Sequence, residues 1–134
     1  MSRKGRITEA EWPIMDFLWE RESATASQII EKVAQTRTGS IRTIKAFIHR
    51  LVRKGMVAFT VDERDSRVYH YRAHVSREEG IREKKQTILN TVYAGRMSDL
   101  LTHFVDGADL DAGEIDDLLS RLEKKKAALQ SKDN

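Results

Sequence analysis

Apolar residues recur with a helical period through the first third of this chain, alternate over a short central stretch, and return to the helical period in the remainder. Thr8-Glu9-Ala10-Glu11 matches the S/T-x-x-E capping box, with Ile7 as the hydrophobic staple before it. Trp12, Met15, Leu18 and Trp19 then mark the buried stripe of a first helix ending near Glu20. Pro13 has no backbone N–H to donate, which predicts a late start or a bend. Thr25-Ala26-Ser27-Gln28 repeats the box and opens a short helix to about Ala34, with Ala26, Ile29, Ile30 and Val33 facing inward and Ser23 and Ala24 as connector. Gln35 to Gly39 is polar, contains glycine and reads as a turn. Ser40 to Lys54 reads SIRTIKAFIHRLVRK, capped by Ser40 and stopped by Gly55. Its apolar face holds Ile44, Phe47, Ile48, Leu51 and Val52, and its opposite face Arg42, Lys45, Ala46, His49 and Arg53.

Past Gly55 the period becomes two. Met56 to Val61 and Arg67 to Arg72 read as strands joined by Asp62 to Ser66. A hairpin after a cationic helix is a wing, with Arg64 and Arg67 at its tip as candidate DNA contacts. It also reads as a cover for the core through Val57, Phe59, Val68 and Tyr69 or Tyr71; both readings hold together, because strand faces alternate. Ser76-Arg77-Glu78-Glu79 is a third box. After Ile81, an apolar seam of Ile88, Leu89, Val92, Tyr93, Met97, Leu100, Leu101, Phe104 and Val105 follows, interrupted by Gly95. Asp111-Ala112-Gly113-Glu114 opens a final helix with Ile115, Leu118, Leu119, Leu122 and Leu129. These stripes are expected to pair with the same elements of a second copy, the other arrangement being an intramolecular helical hairpin on the wing domain. The fold class expected is mainly α with a small β-hairpin: a winged helix-turn-helix domain over residues 1–74, then a helical dimerisation domain over 75–134.

Charge sharpens this picture. Residues 1–74 carry 14 Lys/Arg against 9 Asp/Glu, whereas 75–134 carry 10 against 12. Between Glu31 and Asp62 there is no acidic residue, while Lys32, Arg37, Arg42, Lys45, Arg50, Arg53 and Lys54 are all positive. Such a helix fits the major groove of duplex DNA, where Arg and Lys reach base edges and phosphates. Two copies related by a two-fold axis would read an inverted repeat. The basic arm from Met1 to Arg6 either frays or touches phosphate.

At 134 residues the chain suits one compact domain or two small ones. With no cysteine it has no disulfide, zinc-thiolate site or thiol switch. No apolar run approaches the roughly 18 residues of a membrane span, and MSRKGRITEAEW lacks a signal peptide's apolar centre, so a cytoplasmic protein without membrane insertion is expected. His49, His70, His74 and His103 are scattered, and no phosphate loop or nucleophile motif appears. No catalysis, cofactor or metal is expected.

With these residues identified, the chain resembles the penicillinase repressor (BlaI/MecI) family of bacterial winged-helix repressors over nearly its whole length. The likeness is carried by Ile7 to Trp12 with Trp19, Arg42-Thr43-Ile44-Lys45, His49 to Gly55, Arg67 to Tyr71, and Val92-Tyr93-Ala94-Gly95 with Phe104-Val105. The resemblance implies a homodimer on palindromic operator DNA that blocks transcription of resistance genes. In the β-lactam branch a membrane-bound sensor protease signals the drug, and the repressor is cut in its dimerising half. The family's DNA-contacting positions fall on Arg42, Thr43, Lys45, Ala46, His49 and Arg50. Ala46 and His49 depart from the usual residues, which implies a different operator sequence, and Gly39 stands where a tryptophan is common. The aligned cleavage dipeptide is His103-Phe104, with the usual asparagine replaced. The cysteines of the copper-responsive branch are absent. The competing function is a winged-helix regulator released by direct binding of a small-molecule effector.

Overall fold

The computed structural model describes residues 6–36 and 39–133. The arm at 1–5, Arg37 and part of the turn expected at Gln35 to Gly39 lie outside the described residues. Helix α1 (Trp12–Trp19) starts late. The Thr8 N–H donates to Glu11 Oε1 at 2.9 Å and the Glu11 N–H to Thr8 Oγ1 at 3.2 Å, so the capping box closes a preliminary turn. Regular helix follows with Pro13 in its first turn, where a missing N–H leaves no ladder bond unmade.

Strand β1 (Ala24–Thr25) lies where the sequence suggests only a connector, since two residues are too few to display alternation. It pairs antiparallel with β3, Ala24 opposite Tyr71 and Thr25 opposite His70. Helix α2 (Ala26–Thr36) opens on its expected box, Thr25 N–H to Gln28 Oε1 at 2.9 Å and Gln28 N–H to Thr25 Oγ1 at 3.3 Å. It runs two residues past Ala34, into the span expected to turn. Helix α3 (Ile41–Arg53) ends in a Schellman motif. The Gly55 N–H reaches Val52 O at 3.1 Å and the Met56 N–H reaches Leu51 O at 3.0 Å. The φ of +81° at Gly55 is the left-handed conformation that favours glycine.

Strands β2 (Val57–Val61) and β3 (Tyr69–Ala73) complete a sheet of order β1-β3-β2. The second hairpin strand begins at Tyr69, not Arg67. The reason is the turn at its tip, where Asp62 N–H donates to Val68 O at 2.8 Å and Val68 N–H to Asp65 O at 3.0 Å. Val57, Phe59, Val61, Tyr69, Tyr71 and Ala73 share one face. Only Val57 and Tyr71 are buried, so of the alternatives Tyr69 and Tyr71 it is Tyr71 that covers the core; Phe59, expected beside it, stands with Tyr69 at the exposed end, the two rings stacked with centroids 4.8 Å apart.

The core joins Ile14, Met15 and Leu18 of α1 to Ile29 and Val33 of α2, Ile44, Ile48 and Leu51 of α3, and Met56, Val57 and Tyr71 of the hairpin. Trp12 and Trp19 are half-buried and meet edge to face at 5.3 Å. The Trp19 Nε1–H donates to Val75 O at 2.9 Å, tying α1 to the residues that lead into helix α4 (Arg77–Val92). Gly80 lies in the first turn of α4. A Cβ there would stand 2.9 Å from the Trp19 ring, so the helix packs this closely only because the side chain is missing.

The chain divides into two compact units, Met1–Ile88 and Leu89–Asn134. In the second, α4 ends and the backbone turns left-handed at Ala94 (φ 52°) and Gly95 (φ 83°), the interruption expected at that glycine. Helices α5 (Met97–Gly107) and α6 (Ala112–Asp133) follow. Asp111 caps α6, accepting from the Glu114 N–H at 2.8 Å. Neither α5 nor α6 buries any residue within the chain. Among the described residues no helix is long and apolar enough to cross a membrane.

Gly80→Ala should destabilise the first unit by up to about 2 kcal/mol, because overpacking against an aromatic ring costs roughly 1–3 kcal/mol while a better helix former returns about 1. Thermal unfolding measures this, and a higher melting temperature would contradict the close packing at Trp19.

Candidate nucleic-acid interface

The cationic helix is held at both ends. Ser40, extended at φ −72° and ψ 156°, accepts from the Thr43 N–H at 3.1 Å, and its Oγ lies 2.9 Å from Thr43 Oγ1, so the Thr43 hydroxyl is already engaged. At the far end, Arg50 and Arg53 occupy the last turn, where the helix dipole favours positive charge. Between these ends Ile44, Ile48 and Leu51 point into the core, which leaves the remaining face to solvent. Arg42, Thr43, Lys45, Ala46, His49, Arg50 and Arg53 are all exposed, and so are Arg64 and Arg67 of the wing.

Exposure does not make these cations equivalent. Arg42, Lys45 and Arg53 have no ion pair among the described residues. Arg50 and Lys54 are paired with Glu11, whose side chain is fully buried. The Arg50 Nε–H donates to Glu11 Oε2 at 3.0 Å, and its guanidinium sits 5.0 Å from the centroid of the Phe47 ring. The Lys54 Nζ donates to Glu11 Oε1 at 2.5 Å and to Arg6 O at 2.6 Å. Oε1 also receives the Thr8 N–H, so the capping-box glutamate is at once the anchor of the cationic helix α3. Sequence spacing gives no hint of this second role, since residues 11, 50 and 54 meet only through the fold.

The wing tip is built on Asp62. Its Oδ2 accepts the N–H groups of Arg64 and Asp65, each at 3.0 Å, and its Oδ1 lies 2.9 Å from His70 Nε2. Hydrogen bonds from His70 and from the Arg64 and Asp65 amides hold the Asp62 carboxyl below its ordinary value. Arg67 folds back on Asp65, with Nε to Oδ1 at 3.0 Å and Nη2 to Oδ2 at 3.2 Å. Arg64 has no such side-chain partner among the described residues. The tip therefore offers one unpaired arginine and one arginine–carboxylate pair.

In the second unit, Val92, Leu101, Phe104, Ile115, Leu118, Leu119 and Leu122 are exposed, while Ile88 at the end of the first unit and Leu89, Tyr93 and Leu100 are half-buried. Met97, Val105 and Leu129 add to the exposed apolar surface. His103 and Phe104 lie inside α5, and His103 Nδ1 is 3.2 Å from the Tyr93 hydroxyl.

Burial pushes the Glu11 carboxyl up, but hydrogen bonds from Lys54 and from the Thr8 amide and hydroxyl outweigh it and hold the pKa below 4.5. A carboxylate with a depressed folded pKa stabilises fully above its unfolded value and loses that contribution as pH falls through the folded one. Stability should thus be level from neutral pH to about 4.5 and decline below it, and Glu11→Ala should cost about 1–3 kcal/mol at neutral pH by leaving the half-buried Lys54, the exposed Arg50 and the Thr8 amide without their shared acceptor. Denaturant titrations across pH check both, and an Ala variant as stable as the parent would contradict the anchor.

A family model described as penicillinase repressor matches residues 7–133. The methicillin resistance regulatory protein MecI of Mammaliicoccus sciuri is 33% identical over 119 residues, covering 89% of this chain and 94% of that protein. The penicillinase repressor of Bacillus licheniformis is 27% identical over 126 residues, covering 94% and 96%. Among solved structures, wild-type MarR from E. coli in its apo form is similar in fold, with a TM-score of 0.51 at 19% identity, covering 88% of this chain and 76% of that one. The match runs from the residue before the first capping box to the end of α6, and on that ground the chain belongs to the penicillinase repressor family of winged-helix, DNA-binding regulators.

Proposed function

We propose that this chain is a homodimeric transcriptional repressor that binds palindromic operator DNA through α3, assisted by the wing, and controls antibiotic-resistance genes of the β-lactamase type. The observation that carries this reading is the outward face of α3. It is exposed, free of acidic residues and crossed by Arg42, Lys45 and Arg53, which have no ion pair among the described residues. A protein-binding module has no need of such a field, whereas a phosphate backbone does. In this reading residues 1–74 contact DNA, with Arg42, Thr43, Lys45, Ala46, His49 and Arg50 along the groove-facing side of α3 and Arg53, Arg64 and Arg67 toward the backbone.

Homodimerisation through residues 75–134 is supported by the apolar surface of the second unit. Helices α5 and α6 bury none of their residues within the chain, yet carry Leu101, Phe104, Leu118, Leu119 and Leu122 in exposed positions. A symmetric copy supplies a matching surface for each of these. Release of the operator by a cut between His103 and Phe104, made by a membrane-bound sensor protease, agrees with the family and with a bond placed among the dimerising residues. Because that bond lies within a helix, cutting requires α5 to open locally first.

Two measurements test this function. If about six to eight phosphates are neutralised, log affinity for a duplex should fall against log salt with a slope of roughly −5 to −7; a slope near zero would refute the electrostatic reading. Leu119→Glu with Leu122→Glu should leave the winged helix folded, because both positions are exposed in the single chain, and convert a dimer to monomer in sedimentation. Operator affinity should then drop at least about tenfold, since the second half-site is no longer held in register. A double variant that stays dimeric with full affinity would remove these helices from the interface.

A further inference from the structure

Among the described residues, the cations of α3 and its C-terminal end divide into Arg42, Lys45 and Arg53, which meet solvent unpaired, and Arg50 and Lys54, which Glu11 holds. Arg50 belongs to both worlds: its side chain is 48% exposed, yet its Nε is fixed at 3.0 Å by a carboxylate that is 0% exposed. We propose that Glu11 is a positioning residue for sequence recognition: by gripping Arg50 through Nε it fixes the plane of the guanidinium and leaves the two terminal nitrogens as the donors offered to a base pair. This deepens the DNA-binding reading above and rests on it.

The physical case is one of restricted choice. An arginine carries five N–H donors in a planar fork, and the pair of parallel donors that suits guanine O6 and N7 is only one of its uses. An unrestrained arginine at a groove edge swings as readily to a phosphate, which carries no sequence information. Here two contacts fix it, the Glu11 oxygen on Nε and the Phe47 ring 5.0 Å from the guanidinium carbon. The anchor cannot itself swing, because Glu11 Oε1 is held by the Thr8 N–H at 2.9 Å and by Lys54 Nζ at 2.5 Å. Glu11 also cancels part of the charge of Arg50 and Lys54 at the end of α3, which lowers attraction to any duplex irrespective of sequence. Both effects act in one direction, raising discrimination at the expense of indiscriminate affinity.

The test begins by selecting duplexes from a random pool with the wild-type chain. Affinities for the selected duplex and a scrambled one are then measured across a salt series for the wild type, Glu11→Gln, Glu11→Asp, Arg50→Lys and the Gln–Lys double variant. Glu11→Gln should reduce the selected-to-scrambled ratio about 5- to 100-fold, the range of one lost bidentate base contact, while binding the scrambled duplex more tightly with a salt slope about 1 steeper. Arg50→Lys should reduce the ratio with little change in slope, and Glu11→Gln should reduce it no further in that background. Glu11→Asp keeps the charge but shortens the reach. It should lose discrimination at an unchanged slope, and it serves if circular dichroism shows the Gln variant unfolded. A ratio within twofold of wild type in folded Glu11 variants overturns the proposal. So does an equal loss in the Arg50→Lys background, which would mark general loosening of the fold. A wild-type chain that enriches no duplex overturns the proposed function and this inference together; one that binds selectively while its Glu11 variants discriminate equally well overturns the role of Glu11 alone.

Discussion

The first unit depends on a carboxylate placed out of reach of water. Desolvating Glu11 is unfavourable by several kcal/mol in principle, and that penalty is offset only because two cations and a backbone amide converge on its two oxygens. The same contacts do mechanical work. They join the preliminary turn before α1 to the last turn of α3, elements far apart in the chain, and Lys54 adds a bond to the Arg6 carbonyl. A helix whose outward face is uniformly positive would repel itself at its C-terminal end, where Arg50, Arg53 and Lys54 crowd within one turn. Glu11 relieves that crowding from the core side and leaves the solvent side charged.

The wing follows the same economy of polar groups at smaller scale. Asp62 satisfies two amides and faces His70, so a five-residue tip of mixed charge takes one defined path. Beyond the core the sheet keeps one aromatic face, in which Phe59 stacks on Tyr69 and both tilt toward Tyr71. Cross-strand aromatic pairs of this kind stiffen a hairpin that has little else to pack against. A stiff wing and a capped, anchored α3 together present a surface that is ordered before any ligand arrives.

The second unit poses the opposite situation. Asp111 caps α6, and Arg96 pairs with Asp99 at the start of α5, yet the apolar positions of both helices face outward. Helical propensity alone does not hold short helices together in water, so these stripes need a partner surface. That requirement connects the unit to the proposed dimer.

Much of this was legible along the chain, because capping and periodicity are local. All four boxes, at Thr8, Thr25, Ser76 and Asp111, form as read, as do the Ser40 cap, the Gly55 stop and the break at Gly95. Each depends on residues within four or five positions of one another, and the likeness to the penicillinase repressor family was carried by the same segments. Four things were decided only by tertiary contact. The two-residue β1 exists because β3 lies beside it, and Phe59 and Tyr69 fall outside the core because the sheet extends past the helices that cover Val57 and Tyr71. Gly80 matters because Trp19 arrives from another helix. Glu11, read from its neighbours as a capping residue alone, becomes the counter-ion of α3 only when folding carries Arg50 and Lys54 across the chain to meet it, and no local pattern encodes a contact between residues so far apart.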